Sequence, residues 1–282
     1  MIQSFDQSKA RRASRAFKFM REGDRPIRMN VFNPNYLKAE VHPSPNHGER
    51  RDGRSPDAIL LHYTGMPTAE GALARLCDPV AEVSSHYLVF EDGRILQLVP
   101  EVRRAWHAGA GRWKTDSDLN SCSIGIEIVN PGHDGALPPY PPAQIEAVIA
   151  LCVDISARHA IRSERILAHS DIAPGRKRDP GEHFPWDALH RRGVGHWVAP
   201  APIAGGRFLS PGEAGQPVEA LQAMLGLYGY PCPQSGLYDR ETEAVVAAFQ
   251  RRFRPARVDG IADASTITTL RDLIVALPNP QG

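Results

Sequence analysis

No stretch of this sequence approaches the roughly 20 consecutive apolar residues that cross a bilayer, so no membrane-spanning helix is expected. The four cysteines (Cys77, Cys122, Cys152 and Cys232) include no C-x-x-C pair, which argues against a thiol redox centre or an all-cysteine zinc site. Neither sign of charge is in excess. The chain has 33 Lys and Arg and 32 Asp and Glu, a net charge of +1, which gives no general attraction to nucleic acid or acidic lipid. No glycine-rich phosphate loop follows a strand-like run, so the usual nucleotide-binding signature is missing as well. With 42% hydrophobic and 23% charged residues, wholesale disorder and collagen-like repeats are excluded. At 282 residues the chain can bury a core without disulfide staples, in one large or two unequal domains. What it has in quantity is histidine, 11 residues, and that makes a metal or catalytic site worth seeking.

Residues 1–30 stand apart, with eight Lys or Arg against Asp6, Glu22 and Asp24. No apolar segment and small-residue cleavage site follow the charges, so residues 1–35 read as a basic extension rather than a secretory signal. The cytoplasm is therefore the expected compartment, with the cell envelope as the alternative. Residues 36–198 alternate short apolar runs with helical periods. Ala58 to Tyr63 is a buried-strand pattern, and Thr68 to Leu76 carries Ala72, Leu73 and Leu76 on one helical face. Ser85 to Phe90 and Ile95 to Val99 flank Asp92-Gly93 as a hairpin. Between Ser123 and Val129, Ile124, Ile126 and Ile128 share one face and Gly125, Glu127 and Val129 the other. Pro141-Pro142 opens a helix, and Ile166 to Ala168 is a strand ending at His169. The interleaving predicts an α/β fold, a mixed central β-sheet flanked by helices. Residues 199–212 read as a linker to a small three-helix C-terminal domain over 213–277, with Asp239 and Asp263 as helix caps.

His62 and His169 each close a strand-like run. After His169 the loop through Asp171, Pro174, Gly175, Arg176, Lys177, Arg178 and Asp179 is too polar and too long to be mere connection. Two imidazoles and a carboxylate are the ligands of a catalytic zinc that keeps one position open, and His62, His169 and Asp179 can supply that set.

Five blocks, His62-Tyr63-Thr64, Ser85-His86-Tyr87, Arg104 to Gly109, Ser123 to Glu127 and above all His169 to Gly181, closely resemble zinc-dependent N-acetylmuramoyl-L-alanine amidases. Those enzymes share a fold with peptidoglycan-recognition proteins, and the likeness runs over roughly residues 40–197. It implies Zn2+ on His62, His169 and Asp179, with Glu127 as the catalytic acid/base and Lys177 assisting. Read from the residues alone, Glu127 is a polar residue opposite three isoleucines and Lys177 a loop charge. His86 is read as a core histidine or one that supports a ligand. Trp106 and His107 precede a small-residue loop where a sugar or peptide could pack, and for His107 a structural role is equally open. Arg176 could pair with a stem-peptide carboxylate or lie in solvent. Residues 213–277 are similar to three-helix peptidoglycan-binding domains, which implies a tethered module that concentrates substrate. The implied reaction is cleavage between N-acetylmuramic acid and L-alanine in peptidoglycan or a muropeptide. The rival reading is a non-catalytic recognition protein on the same fold. Expected partners are that substrate and no nucleic acid, with the protein a monomer.

Overall fold

The structure, a computed structural model, describes residues 32–278; of the basic extension over residues 1–35, residues 1–31 lie outside them. Strand β3 (Ala58–Tyr63) is apolar up to its last two residues and lies second from one edge of a six-stranded sheet. Beside it runs β7 (Ser123–Ile128), and β8 (Ile166–Ala168) closes that edge, both parallel to β3. Next to β7 come β4 (Tyr87–Val89) and β5 (Ile95–Gln97), the expected antiparallel hairpin, and then β1 (Glu40–Val41). Gly93 turns this hairpin at φ +87, where any Cβ would meet the Ala143 carbonyl at 2.9 Å. Strands β2 (His47–Glu49) and β6 (Arg103–Ala105) form a separate antiparallel ribbon.

The two faces of the sheet are covered differently. Ile59, Leu61, Ile124, Ile126 and Ile128 pack against Ile145, Val148, Ile149, Cys152 and Ile155 of helix α3 (Pro142–His159). Each such side chain contributes about 1.5–3 kcal/mol when fully buried. Alternation turns Leu60 and Leu167 to the opposite face. There they join one hydrophobic cluster with Leu221 and Leu225 of α6 (Gln216–Tyr228), Val246 and Phe249 of α7 (Arg240–Phe253), and Leu270 of α8 (Ala264–Val275). Asp239 and Asp263 cap α7 and α8, accepting hydrogen bonds from the backbone of Thr242 and Thr266.

The C-terminal helices thus share a core with the sheet instead of hanging from a free tether. Their apolar stripe looks the same in sequence whether it meets a helix or a strand, so periodicity did not reveal the docking. The segment before them is held as well. The Ala201 N–H donates to Thr269 Oγ1 at 3.0 Å, and Leu209 pairs with Ala262. Trp113, 1% exposed, packs edge-on against Tyr228 and Tyr230 over Gly229, where a Cβ would come within 2.5 Å of its ring. Among the described residues no helix is long and apolar enough to cross a membrane.

Candidate metal centre

Two residues beyond Leu60 and Leu167, the face that packs on the C-terminal helices turns polar. His62, the last but one residue of β3, lies on that side, His169 follows β8, and Glu127 stands on β7 in register with His62. The third group arrives by a loop. After α4 (His169–Ile172) the chain turns through Pro174 and Gly175, and the Ser170 N–H donates to the Asp179 carbonyl at 3.0 Å. His62 Nδ1 and His169 Nδ1 lie 2.9 Å apart, and Asp179 Oδ2 is 3.1 Å from the first and 3.0 Å from the second. Ligands bonded tetrahedrally to zinc at about 2.0–2.1 Å are separated by about 3.3 Å, close to this triangle.

The far sides of the rings show what the near sides offer. His169 Nε2 is 3.0 Å from the Ala108 carbonyl, which can only accept, so the ring proton sits there and the Nδ1 lone pair faces inward. His62 Nε2 meets His107 Nδ1 at 3.1 Å, and His107 Nε2 meets Ser123 Oγ at 3.4 Å. Ser123 spends its own proton on the Leu119 carbonyl, so the chain of donors runs from His62 through His107 to Ser123. The His62 Nδ1 lone pair also faces inward. Two lone pairs and a carboxylate oxygen cannot hydrogen-bond to one another, whereas a cation satisfies all three. His62, His169 and Asp179, all buried, could hold such an ion together.

The electrostatics agree with this assignment. Burial, followed by His169, lowers His62 to about 4 and leaves it neutral, the form that binds metal. Burial alone would raise Asp179, yet His169 and His62 hold its carboxyl well below the usual range. Glu127 moves the other way: burial pushes it well up, Asp179 adds to the rise and Lys177 offsets part of it. Glu127 Oε2 is buried with no hydrogen-bond partner among the described residues.

These groups line a cavity of about 360 Å³, within the usual range for small-molecule sites. Lys177, Trp106 and His107 are in its wall with the triad and Glu127. His107 lies flat on β7 because residue 125 is glycine; a Cβ there would fall 2.4 Å from the imidazole. Arg176 has different partners from the stem-peptide carboxylate considered above. Its guanidinium donates to the Ala108 and Ala110 carbonyls, the nearest acceptors to a loop cation, and it is not in the cavity wall. His86 is fully buried, with Nδ1 accepting from the Gly125 N–H at 2.9 Å. Sequence reasoning missed Asn120, whose Oδ1 accepts from the His107 and Ala108 backbones and so presents the Ala108 carbonyl to His169. Nothing in a lone Asn twelve residues downstream signals that. It also gave no role to Tyr63, which lines the cavity and lies 2.9 Å from His133.

Residues 52–182 match the N-acetylmuramoyl-L-alanine amidase family, and residues 214–270 match a peptidoglycan binding domain family. The N-acetylmuramoyl-L-alanine amidase AmiD of Escherichia coli K12 is 41% identical over 223 residues, 74% of this chain and 78% of that protein. The 1,6-anhydro-N-acetylmuramyl-L-alanine amidase AmpD of Enterobacter cloacae is 33% identical over 165 residues, 52% of this chain and 86% of that protein. A solved complex of Escherichia coli AmiD with the substrate anhydro-N-acetylmuramic acid-L-Ala-D-γ-Glu-L-Lys superposes with a TM-score of 0.68 at 39% identity, covering 79% of this chain and 90% of that one. With two thirds of such a relative spanned at this identity, the chain belongs to the N-acetylmuramoyl-L-alanine amidase family.

Proposed function

We propose that this chain is a zinc hydrolase that cuts the amide between the lactyl group of N-acetylmuramic acid and L-alanine in soluble muropeptides. The observation that carries the reading is the convergence of three ligand atoms within 3.1 Å of one another in one cavity with Glu127, whose Oε2 has no hydrogen-bond partner among the described residues. When bound by His62, His169 and Asp179, zinc supplies a Lewis acid and brings the acidity of water to a pKa of about 7. Glu127 takes a proton from the attacking water as the oxygen adds to the carbonyl carbon. It returns that proton to the L-alanine nitrogen as the C–N bond breaks. Burial favours the protonated form of Glu127, which helps it to hold the proton between these steps. Lys177 faces the carbonyl oxygen as it gains negative charge, and Trp106 offers the sugar an apolar wall. His107 holds His62 in the right tautomer.

The choice of a soluble fragment is supported by the anhydro-muropeptide bound to AmiD in its solved complex. Cytoplasmic action by a monomer completes the reading; recovery of the native protein in the envelope fraction would move it to the wall. Zinc content and release of the L-alanine-led peptide from anhydro-muropeptide test the chemistry together. Glu127→Ala should keep its zinc and lose turnover about 10³-fold, in the range of general acid–base catalysis. Full activity in that variant would remove Glu127 from the mechanism, and metal-loaded wild-type protein without cleavage would favour a recognition protein.

A further inference from the structure

Two consecutive arginines of α7 reach the loop that carries two of the three metal-binding candidates. Arg252, 1% exposed, places its guanidinium on Asp171 Oδ2 and donates to the Ile166 carbonyl at 2.8 Å. Asp171 is fully buried, two residues past His169. Its Oδ2 also accepts from the Ala168 N–H at 2.8 Å, and its Oδ1 from the Tyr230 hydroxyl at 2.6 Å. Arg252 therefore grips β8 and the first turn after it, on both sides of His169. Arg251 forms an ion pair with Glu182 at 3.4 Å, three residues past Asp179. Glu182 in turn meets His133 at 3.0 Å, and His133 meets Tyr63, the neighbour of His62, at 2.9 Å. The Arg252 guanidinium lies over the rings of Trp186 and Phe253, at 4.3 and 4.6 Å, which fixes its plane.

We propose that Arg252 is a positioning residue for the metal centre, acting through Asp171 on His169, so that the C-terminal helices help to build the catalytic site. This rests on the reading that His62, His169 and Asp179 hold zinc. Groups that orient metal ligands typically change affinity 10–100-fold when removed. A fixed plane with two points of contact suits Arg, and Lys can replace only the charge.

The test measures zinc affinity of the full-length apo protein, by chelator competition, alongside its thermal midpoint. Arg252→Lys should weaken zinc binding roughly tenfold and Arg252→Met nearer a hundredfold. Leu225→Ala, a truncation in the same shared core, should lower the midpoint and leave zinc affinity unchanged. Arg252 variants that bind zinc as tightly as wild type, or lose no more than Leu225→Ala does, would overturn the proposal. If Arg252→Met does not fold, the Lys variant decides. Wild-type protein that binds no zinc would sink the metal reading and this inference with it. Tight wild-type binding with unaffected Arg252 variants would sink this inference alone.

Discussion

Two clusters among the described residues combine histidine with a buried carboxylate, and they are built to opposite ends. Glu101, 2% exposed, accepts from Tyr87 at 2.6 Å, from Arg158 at 2.7 Å and from His159 at 2.7 Å. Every lone pair that matters there is spoken for, and Arg158 supplies the compensating charge. Burial opposes ionisation of Glu101, yet Arg158, His159 and Tyr87 hold it down at about 2. In the candidate metal centre the ring nitrogens of His62 and His169 turn lone pairs toward the Asp179 carboxylate, and Glu127 Oε2 has no hydrogen-bond partner among the described residues. Burial pushes this second glutamate up, Asp179 adds to the rise, and Lys177 offsets only part of it. Both places set a glutamate among histidines; what differs is whether its hydrogen bonds are complete among the described residues. A completed cluster ties elements together, while an incomplete one next to a cavity waits for a ligand.

Three substitutions break or sharpen this contrast, from the largest effect to the smallest. His169→Ala removes a corner of the triangle, so stoichiometric zinc and peptide release should both vanish, as metal analysis and a muropeptide assay would register. Retained zinc with retained cleavage would place the ion elsewhere. Lys177→Met leaves the triangle intact. It should keep zinc and lower kcat about 10²–10³-fold, the cost of removing one oxyanion donor, with little change in KM. An unchanged kcat would return Lys177 to the role of a plain loop charge. Glu101→Gln touches only the finished cluster, and cleavage should stay within about twofold of wild type. Its effect falls on stability instead. The Glu101 pKa drops from 4.5 unfolded to about 2 folded, so its contribution is present above pH 4.5 and fades as pH falls toward 2. That contribution is on the order of 3 kcal/mol, and urea unfolding should show the gap between wild type and variant closing over this window. A gap that stays constant with pH would mean the charge of Glu101 is not what stabilises the fold.

Strands β3 and β8 and both imidazoles were legible because each strand announces itself: an apolar run of strand length that stops at a polar residue, at His62 and again at His169. The isoleucine alternation likewise placed Glu127 on the other face from Ile124, Ile126 and Ile128. Asp179 was legible as a carboxylate in the polar loop after His169 that could complete a zinc set, and the family's loop pattern singled it out, since no period links a residue to a strand ten positions back. The contacts that seat the site were not legible at all. Arg252 and Asp171 are 81 positions apart, and each alone reads as an ordinary charged residue. Arg176 was open between an anionic ligand and solvent in the sequence; it is exposed, and its guanidinium donates to backbone carbonyls.

The pairing of His62 with Glu127 across adjacent parallel strands has a consequence for how this enzyme can be altered. Neighbouring strands keep a spacing of about 4.8 Å, so the gap between His62 and Glu127 is ruled by the backbone and not by any loop. Remodelling Trp106 or the segments around the cavity can retune which fragment is accepted, while the ruler itself holds until the sheet comes apart.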